Sequence, residues 1–307
     1  MVHATRQVEF RTAAIFAVSG IARPMLVIVL LLLLSAALLS AFSITVLFWA
    51  CFSQLRFLSY FRNQKDRPPP LGFEGWITFY WRTLKGAWVL LWWTFRAAFR
   101  SPLRQPKGVV TGKPVLCVHG LFLNDTTMWG IRQRLQSLGR PTRAIFMGLP
   151  IPTPMAYVEP LTRVMREMAD RFPDEGFEVV AHSIGGVMVR EVLTRNPELA
   201  NSVHRIVTLG SPHHGTAVVR WIHFGPIHKM LALDSDYLKG LADFRTLAPS
   251  ADVTTLATQH DLVVYPVWTS FLEGALRVTM SEVSHLGLLT EPRAHDEIER
   301  AFSQPKP

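Results

Sequence analysis

The stretch "EVVAHSIGGVMVREVL", from Glu178 to Leu193, places one serine between an apolar, strand-like run and a run with helical spacing. A strand that turns directly into a helix brings two backbones close together, so the residues beside the turn must be small. Ala181 and Gly185 meet this requirement. The turn would hold the hydroxyl of Ser183 at the N-terminus of a helix, whose dipole favours negative charge. The stretch therefore predicts that Ser183 is a nucleophile.

A serine hydroxyl needs a base, and the base needs a group that orients it. His285 follows the strand-like run "LRVTM", and Asp261 follows the strand-like run "VTTLAT". We therefore predict a triad of Ser183, Asp261 and His285. The rival residues are Asp234, Asp236, Asp243 and Asp252 for the acid and His295 for the base.

Attack on a carbonyl also creates an oxyanion, which backbone N–H groups can stabilise. In "LCVHGLF" a strand-like run ends at His119 and Gly120, and a glycine there lets backbone amides face the site. We predict that the amides of Leu121 and Ile184 form the oxyanion hole. His119 is expected to brace this loop and to take no part in the reaction.

From Val109 onward, short β-branched runs alternate with runs of helical periodicity. Strands that alternate with helices favour a parallel sheet covered on both faces. Functional residues in such sheets gather at the carboxyl ends of the strands. This part of the chain, residues 109–307, is predicted to be the catalytic domain.

The run "PMLVIVLLLLLSAALLSAFSITVLFWACF", from Pro24 to Phe52, has no charged residue. As a helix it would extend about 43 Å, whereas the hydrocarbon core of a bilayer is about 30 Å thick. A signal peptide has a shorter apolar core, and a buried soluble helix would show a polar stripe. We predict one transmembrane helix at about residues 24–52, within an N-terminal segment 1–62. A re-entrant hairpin is the alternative.

The formal net charge of +9 has a simple explanation in the residues beside this run. Juxtamembrane cations attract anionic lipid headgroups. These cations are Arg6, Arg11 and Arg23 before the run and Arg56, Arg62, Lys65 and Arg67 after it. No nucleic-acid-binding motif is present, so membrane lipids are the predicted partner and nucleic acid is not. The expected location is a bacterial inner membrane, and the side of the catalytic domain stays open because the cations are nearly balanced.

Residues 63–108 are predicted to form a linking module. Three consecutive prolines in "NQKDRPPPLG" indicate a stiff spacer. The next run, Trp76 to Arg100, holds five of the nine tryptophans, and its cations fall near one helical stripe while the apolar residues lie largely elsewhere. A Trp-rich cationic helix can lie at the headgroup boundary. Packing against the catalytic domain is the alternative, and the sequence leaves both open.

The motifs together resemble the bacterial lipase/esterase branch of the α/β-hydrolase fold. "PVLCVHGLF", "VVAHSIGG", "VTLGSPHHGT" and "TQHDLVV" followed by "SHLGLL" carry the resemblance, over about residues 114–289. It implies a serine hydrolase acting on esters, often lipid esters, with Ala181 in place of the first glycine of the elbow. Since no first strands precede Pro114, we expect a reduced, mostly parallel sheet of about six strands with helices on both faces, preceded by a helical membrane module. No cofactor is expected. No metal is expected at His213 and His214 either, because adjacent residues point apart and no nearby carboxylate or cysteine pattern completes a tetrahedral set.

The expected function is that of a membrane-anchored lipase or esterase acting through an acyl-enzyme. An acyltransferase with the same triad and a catalytically inactive membrane scaffold are the alternatives. The apolar segment between the "GSPHHGT" motif and Asp261 is either a lid for an acyl chain or a set of covering helices. It contains Trp221, Phe224, Ile227, Met230 and Leu231. The oligomeric state stays open.

Overall fold

The computed structural model describes residues 2–65, 67–98, 110–148, 153–221 and 225–303. Arg100, Phe224 and the predicted domain boundary at 108/109 lie outside these ranges. The chain divides into two compact units, Met1–Trp49 and Ala50–Pro307. The second unit contains all of the candidate site residues.

Sixteen helices and strands are described, apart from short 3-10 turns. The helices are α1 (Val2–Phe61), α2 (Phe73–Ala98), α3 (Trp129–Ser137), α4 (Val158–Arg171), α5 (Ile184–Arg195), α6 (Gly225–Met230), α7 (Asp236–Gly240), α8 (Phe244–Leu247), α9 (Gly287–Thr290) and α10 (Pro292–Ser303). The strands are β1 (Val115–Val118), β2 (Thr142–Ile145), β3 (Phe177–His182), β4 (Val203–Leu209), β5 (Asp252–Thr258) and β6 (Leu276–Met280).

The six strands form one sheet in the order β2-β1-β3-β4-β5-β6. Every neighbouring pair is parallel. All carboxyl ends therefore lie along the same edge, which is where the sequence places the candidate catalytic residues. The predicted parallel sheet of about six strands is confirmed.

Apolar side chains cover both faces of this sheet, because successive residues of a strand point to opposite sides. In β1, Leu116 and Val118 belong to one buried cluster, whereas Val115 and Cys117 belong to the other. Helices α4 and α5 contribute to the first cluster, and α3 and α10 contribute to the second. The helices on both faces confirm the predicted layered architecture.

A buried group of charges closes the amino-terminal edge of the sheet. The guanidinium groups of Arg140 and Arg205 both pair with the carboxylate of Glu178. Each also donates a hydrogen bond of 2.6 Å to the backbone carbonyl of Phe302. Burial raises the pKa of Glu178, and the two guanidinium groups act against that rise. These contacts fasten the end of α10 to the edge opposite the carboxyl ends of the strands.

The helix α1 includes the whole apolar run of the sequence. Within the described residues, one helical stretch is long and apolar enough to cross a membrane. It spans Leu31–Phe61 with a mean hydropathy of 2.4, and its most apolar window is not buried against the protein. The final turns of α1 differ, because Phe57 and Phe61 are buried in the first apolar cluster of the second unit.

The Trp-rich helix α2 has two different faces. On one face Phe79, Ala87 and Leu90 are buried against the rest of the second unit. A methyl group added at Gly86 would lie 2.9 Å from the hydroxyl of Thr290, so α2 and α9 are in close contact. The other face exposes large apolar side chains to the surroundings. They are Phe73, Ile77, Trp81, Trp92 and Phe95.

The segment after β4 forms short helices that cover the first apolar cluster. Val218, Val219, Met230 and Leu231 are buried in that cluster. Trp221 is partly exposed, and the guanidinium of Arg56 lies 4.3 Å from its ring centroid. These contacts favour covering helices over a free lid.

Candidate active site

Ser183 lies on a sharp turn between β3 and α5. Its backbone has φ of 55° and ψ of −131°, which is a strained conformation for a residue other than glycine. Its amide donates a 2.8 Å hydrogen bond to the carbonyl of Leu209, at the end of the neighbouring strand β4. Strain of this kind persists only where the surrounding structure holds it, and it is common at functional sites. The conformation is that expected of a nucleophile elbow.

The residues around the turn are small because no space is left for larger ones. A methyl group added at Gly185 would lie 2.7 Å from the backbone carbonyl of His119. Ala181 is fully buried in β3. Gly186, which the sequence analysis did not single out, faces the hydroxyl of Ser211 with similarly little room. Helix and strand thus approach closely at this turn, and Gly186 takes part in the contact as well as Gly185.

His285 and Asp261 form a buried pair. The Nδ1 of His285 lies 2.7 Å from Oδ2 of Asp261, and both side chains are less than a tenth exposed. The other carboxylate oxygen, Oδ1, accepts hydrogen bonds of 2.8 Å from the amides of Val263 and Val264. The carboxylate is therefore oriented by the backbone and in turn orients the imidazole.

The elbow and this pair converge on the carboxyl edge of the sheet. His182, directly before Ser183, lies with its ring centroid 4.6 Å from that of His285. Its Nε2 is 3.1 Å from the backbone carbonyl of His285 and donates a hydrogen bond to it. Gly210 directly follows Leu209, whose carbonyl accepts the hydrogen bond from the Ser183 amide. A methyl group added at Gly210 would lie 3.2 Å from Oδ2 of Asp261 and 3.2 Å from Nδ1 of His285. Asp261 and His285 are thus in direct contact, and the turn that carries Ser183 adjoins the His285 loop through His182.

His182 was not singled out from the sequence. Burial, together with the neighbouring imidazole of His285, lowers its pKa well below the usual 6.5. It is uncharged at neutral pH and acts through its contacts with the His285 loop. The signal in the sequence that could have pointed to His182 is its position immediately before Ser183.

The rival residues have other partners. Asp234 lies 3.9 Å from His214, and Asp243 lies 3.4 Å from Arg190. Asp252 pairs with Arg205 at the opposite edge of the sheet, and Asp236 begins helix α7. His295 lies in α10, with Nε2 2.8 Å from the carbonyl of Leu289.

The loop after β1 is held by His119. Its Nδ1 donates to the carbonyl of Gly120 at 2.8 Å, and its Nε2 accepts from the amide of Met147 at 3.2 Å. Burial lowers the pKa of His119, so the ring is neutral and can serve in both roles. A methyl group added at Gly120 would lie 3.0 Å from the Cβ of Ser183, so this loop adjoins the nucleophile.

Leu121 and Ile184, the two residues whose amides the sequence analysis assigns to an oxyanion hole, follow the ends of neighbouring strands. Leu121 directly follows Gly120, and Ile184 is the first residue of α5. The strands β1 and β3 that carry them are direct neighbours. Phe122, which the sequence analysis did not single out, has a positive φ of 55° and is exposed. The backbone of this loop is therefore strained at Phe122, as the backbone of the neighbouring turn is at Ser183.

The adjacent histidines of the "GSPHHGT" motif point to different partners. His213 is buried with Nε2 3.1 Å from the hydroxyl of Thr208, whereas His214 has Nε2 3.0 Å from the carbonyl of Phe271. Arg190 donates to the carbonyl of His213, so the motif is fastened to α5.

A cavity of about 660 Å³ lies at the amino-terminal ends of β4 to β6. Arg205, Asp252 and Leu276 are among its lining residues, and Ser183, Asp261 and His285 are not. It is separate from the candidate catalytic centre.

A serine on a strand-to-helix elbow, beside a buried imidazole–carboxylate pair on a parallel sheet, is typical of the serine hydrolases of the α/β-hydrolase fold, the class that includes the carboxylic ester hydrolases. Within that class a more specific assignment follows from the sequence. The family model described as "Palmitoyl protein thioesterase" matches residues 114–271, just over half of the chain, and the chain belongs to this family. No curated protein sequence matches the chain.

Solved structures share the fold. Lipase B of Aspergillus fumigatus superposes with a TM-score of 0.56 at 15% identity, covering 68% of this chain and 56% of that one. The mature lipase BlEst2 of Bacillus licheniformis gives a TM-score of 0.48 at 16% identity, covering 66% of this chain and 96% of that one. This chain thus matches little more than half the length of lipase B.

Proposed function

We propose that this protein is a membrane-anchored serine hydrolase that cleaves carboxylic esters of lipids through an acyl-enzyme. The observation that carries the proposal is the buried His285–Asp261 pair, 2.7 Å between Nδ1 and Oδ2, beside the elbow that presents Ser183. Family membership supports the same class of chemistry.

In the first half of the proposed reaction, Nε2 of His285 takes the proton of Ser183 while Oγ attacks the carbonyl carbon of the ester. The carbonyl oxygen becomes an oxyanion, which the amides of Leu121 and Ile184 stabilise. When the C–O bond to the leaving group breaks, His285 passes its proton to the departing alcohol. An acyl group then remains on Ser183.

In the second half, His285 takes a proton from water as the water oxygen attacks the acyl carbon. Collapse of this intermediate releases the carboxylic acid, and Ser183 recovers its proton from His285. Asp261 keeps Nδ1 protonated throughout and stabilises the imidazolium. The two backbone amides on Oδ1 hold the carboxylate in the orientation that this role requires.

Exposed apolar side chains on and beside the loop after β1 support an acyl-chain substrate. Phe122 is 61% exposed, and Phe146, stacked on His119, is 58% exposed. Contact with an acyl chain would remove such apolar area from water, at about 25 cal/mol per Å². The family is named for palmitoyl thioesters. A long acyl chain on oxygen or on sulfur is therefore the substrate class that we propose.

Two features support anchoring to a membrane. The stretch Leu31–Phe61 has the length and hydropathy of a span, and its most apolar window is unburied. The aromatic face of α2, with Trp81 68% exposed and Trp92 56% exposed, has the composition of a helix that contacts the headgroup region. We propose that the predicted span of about residues 24–52 crosses the bilayer once and that the exposed face of α2 contacts lipid headgroups.

The test of catalysis is labelling with a fluorophosphonate, which reacts with activated serines. We expect the full-length protein to be labelled and Ser183→Ala to be unlabelled. Hydrolysis of p-nitrophenyl esters should become faster from acetyl to longer acyl chains, and matched acyl thioesters should be compared with them. Absence of labelling in folded wild-type protein would refute the hydrolase proposal, and a preference for acetyl would refute the lipid substrate.

Anchoring is tested separately. Membranes that contain the protein are washed with alkaline carbonate, which removes peripheral proteins, and then extracted with detergent. We expect the protein to stay in the pellet until detergent is added. Release by carbonate alone would refute the transmembrane helix and leave the catalytic proposal unaffected.

A further inference from the structure

The loop that carries Asp261 contacts the N-terminal segment at both of its ends. We call residues 260–265 the acid loop and residues 57–80 the N-terminal brace. The brace lies outside the part of the chain that the family model matches. It nevertheless belongs to the same compact unit as the candidate triad.

At the first end, His260 joins the brace to two loops of the site. Its Nε2 donates a hydrogen bond of 3.0 Å to the carbonyl of Pro69, 191 positions away in sequence. Its Nδ1 accepts a hydrogen bond of 3.1 Å from the amide of Glu282, three residues before His285. The ring also lies edge-on to Trp76, with 6.3 Å between centroids. One buried side chain thus contacts the brace, the acid loop and the His285 loop.

At the second end, Tyr265 packs into an aromatic cluster at the end of α1. Its ring centroid lies 5.4 Å from that of Phe57, 5.5 Å from that of Tyr60 and 6.2 Å from that of Phe61. Tyr265 is almost fully buried by these contacts. Edge-on aromatic pairs of this kind favour one relative orientation. The second end of the acid loop is therefore fixed to the final turns of α1.

Asp261 lies between these two fixed ends. Its Oδ1 accepts from the amides of Val263 and Val264 inside the same short loop, so the carboxylate moves with the loop backbone. A loop of this length cannot shift at His260 or Tyr265 and leave Asp261 in place. The 2.7 Å contact with His285 depends on that placement.

We propose that the N-terminal brace positions the candidate acid and base, with His260 as the positioning residue that joins the brace to both loops. This inference rests on the proposed function, because it assigns a role in the same triad. The final turns of α1 and the segment that follows them are then a working part of the catalytic unit.

The charge state of His260 is consistent with this role. Burial lowers its pKa, while the carbonyl of Pro69 and the carboxylate of Glu282 act in the opposite direction. Glu282 is itself 3.8 Å from the guanidinium of Arg82 on α2. The neutral ring offers one donor and one acceptor, which is what Pro69 and Glu282 require.

The test uses full-length protein in detergent micelles and compares wild type with His260→Ala. The rate of fluorophosphonate labelling and kcat for a short p-nitrophenyl ester are both measured per folded molecule. We expect both to fall about 10- to 100-fold, since a misplacement of about 1 Å can lower a rate about 100-fold. KM should change little, because His260 is buried and both of its ring nitrogens are bonded to protein groups. A merely structural role would lower the amount of folded protein and leave these rates unchanged.

Two further variants separate the two contacts. An asparagine oxygen can take the place of Nδ1, so His260→Asn keeps the bond from Glu282 and loses the bond to Pro69. A glutamine amide can take the place of Nε2, so His260→Gln keeps the bond to Pro69 and loses the other. We expect intermediate rates for both. The matched control is His204→Ala, near the amino-terminal end of β4, which should react at the wild-type rate.

The possible outcomes are distinguishable. If wild type labels and all His260 variants label equally fast, the brace is refuted and the proposed function stands. If His260→Asn alone reaches the wild-type rate, the contact with Pro69 contributes nothing and the brace is likewise refuted. If wild type does not label, the proposed function fails and the brace fails with it. Where His260→Ala does not fold, the asparagine and glutamine variants decide.

Discussion

Replacing Asp261 with asparagine tests the proposed triad, because the substitution exchanges one carboxylate oxygen for an NH₂ group. In the wild type, Oδ1 accepts from two backbone amides and Oδ2 faces Nδ1 of His285 at 2.7 Å. An asparagine must place its carbonyl oxygen against the two amides, because an NH₂ group there would oppose two donors. Its NH₂ group is then forced towards His285. The backbone of the acid loop thus decides which way the new side chain points.

The consequence is a wrong tautomer. With an NH₂ donor facing it, Nδ1 of His285 must be an acceptor, and the ring proton moves to Nε2. A ring protonated at Nε2 cannot accept the proton of Ser183. Loss of this orientation in a serine–histidine–aspartate triad lowers kcat by about 10⁴-fold, which corresponds to about 5 kcal/mol of barrier. The folded state should be little affected, because the asparagine oxygen keeps the two amide bonds.

The assay is kcat/KM for a p-nitrophenyl ester, measured beside the thermal unfolding temperature of each variant. The matched control is Asp234→Asn, which makes the same chemical change at a rival acid. Asp234 is about half exposed and has a positive φ of 50°, which asparagine tolerates. We expect the control to keep most of its activity. Activity of Asp261→Asn above about a tenth of wild type would refute the reasoning, and a large loss in Asp234→Asn alone would transfer the role to that residue.

Two further predictions concern the elbow and the buried histidines. Gly185→Ala should abolish most activity and destabilise the fold by about 1–3 kcal/mol, because the new methyl group meets the carbonyl of His119. The control is Gly240→Ala, which has open space around the added methyl group. Equal stability of the two variants in urea unfolding would contradict the steric argument. Burial holds the pKa of His182 and His213 well below 6.5. Above pH 6.5 both histidines are neutral in the folded and in the unfolded chain. Below pH 6.5 the unfolded chain binds protons at these histidines that the folded chain does not bind. Acidification should therefore lower the contribution of both histidines to the free energy of unfolding. Unfolding measured from pH 7.5 to 5.5 should show a shallower loss in His213→Asn than in wild type, and an unchanged slope would count against this assignment.

Much of the fold and of the candidate site was predictable from the sequence, because the relevant signals are local. The apolar run before Ser183 and the small residues beside it depend on contacts within a few positions. The loops that carry Asp261 and His285 each follow a recognisable strand. In a parallel sheet the ends of those strands must meet, so their proximity follows from strand order along one edge.

Other features depend on contacts between distant positions. The pairing of His260 with Pro69 joins residues 191 positions apart, and no short pattern announces it. Phe57 and Phe61 follow the predicted span on the same helix, and their composition does not show that they pack in a protein core, since a bilayer and a protein core select the same side chains. Both the buried face and the exposed face of α2 carry large apolar side chains, because lipid and a protein core favour the same residue types. The sequence therefore left its packing open, and the structure assigns one face to the protein interior.

The contacts at Phe302 have a practical consequence for studying this enzyme. Arg140 and Arg205 hold the final turn of α10 against the edge of the sheet that is farthest from the elbow. A fluorescent reporter or an affinity handle joined after residue 303 would extend from that remote edge. Such a fusion stays away from the carboxyl edge of the sheet, and the chain could be attached there to a sensor surface with that edge facing the solution.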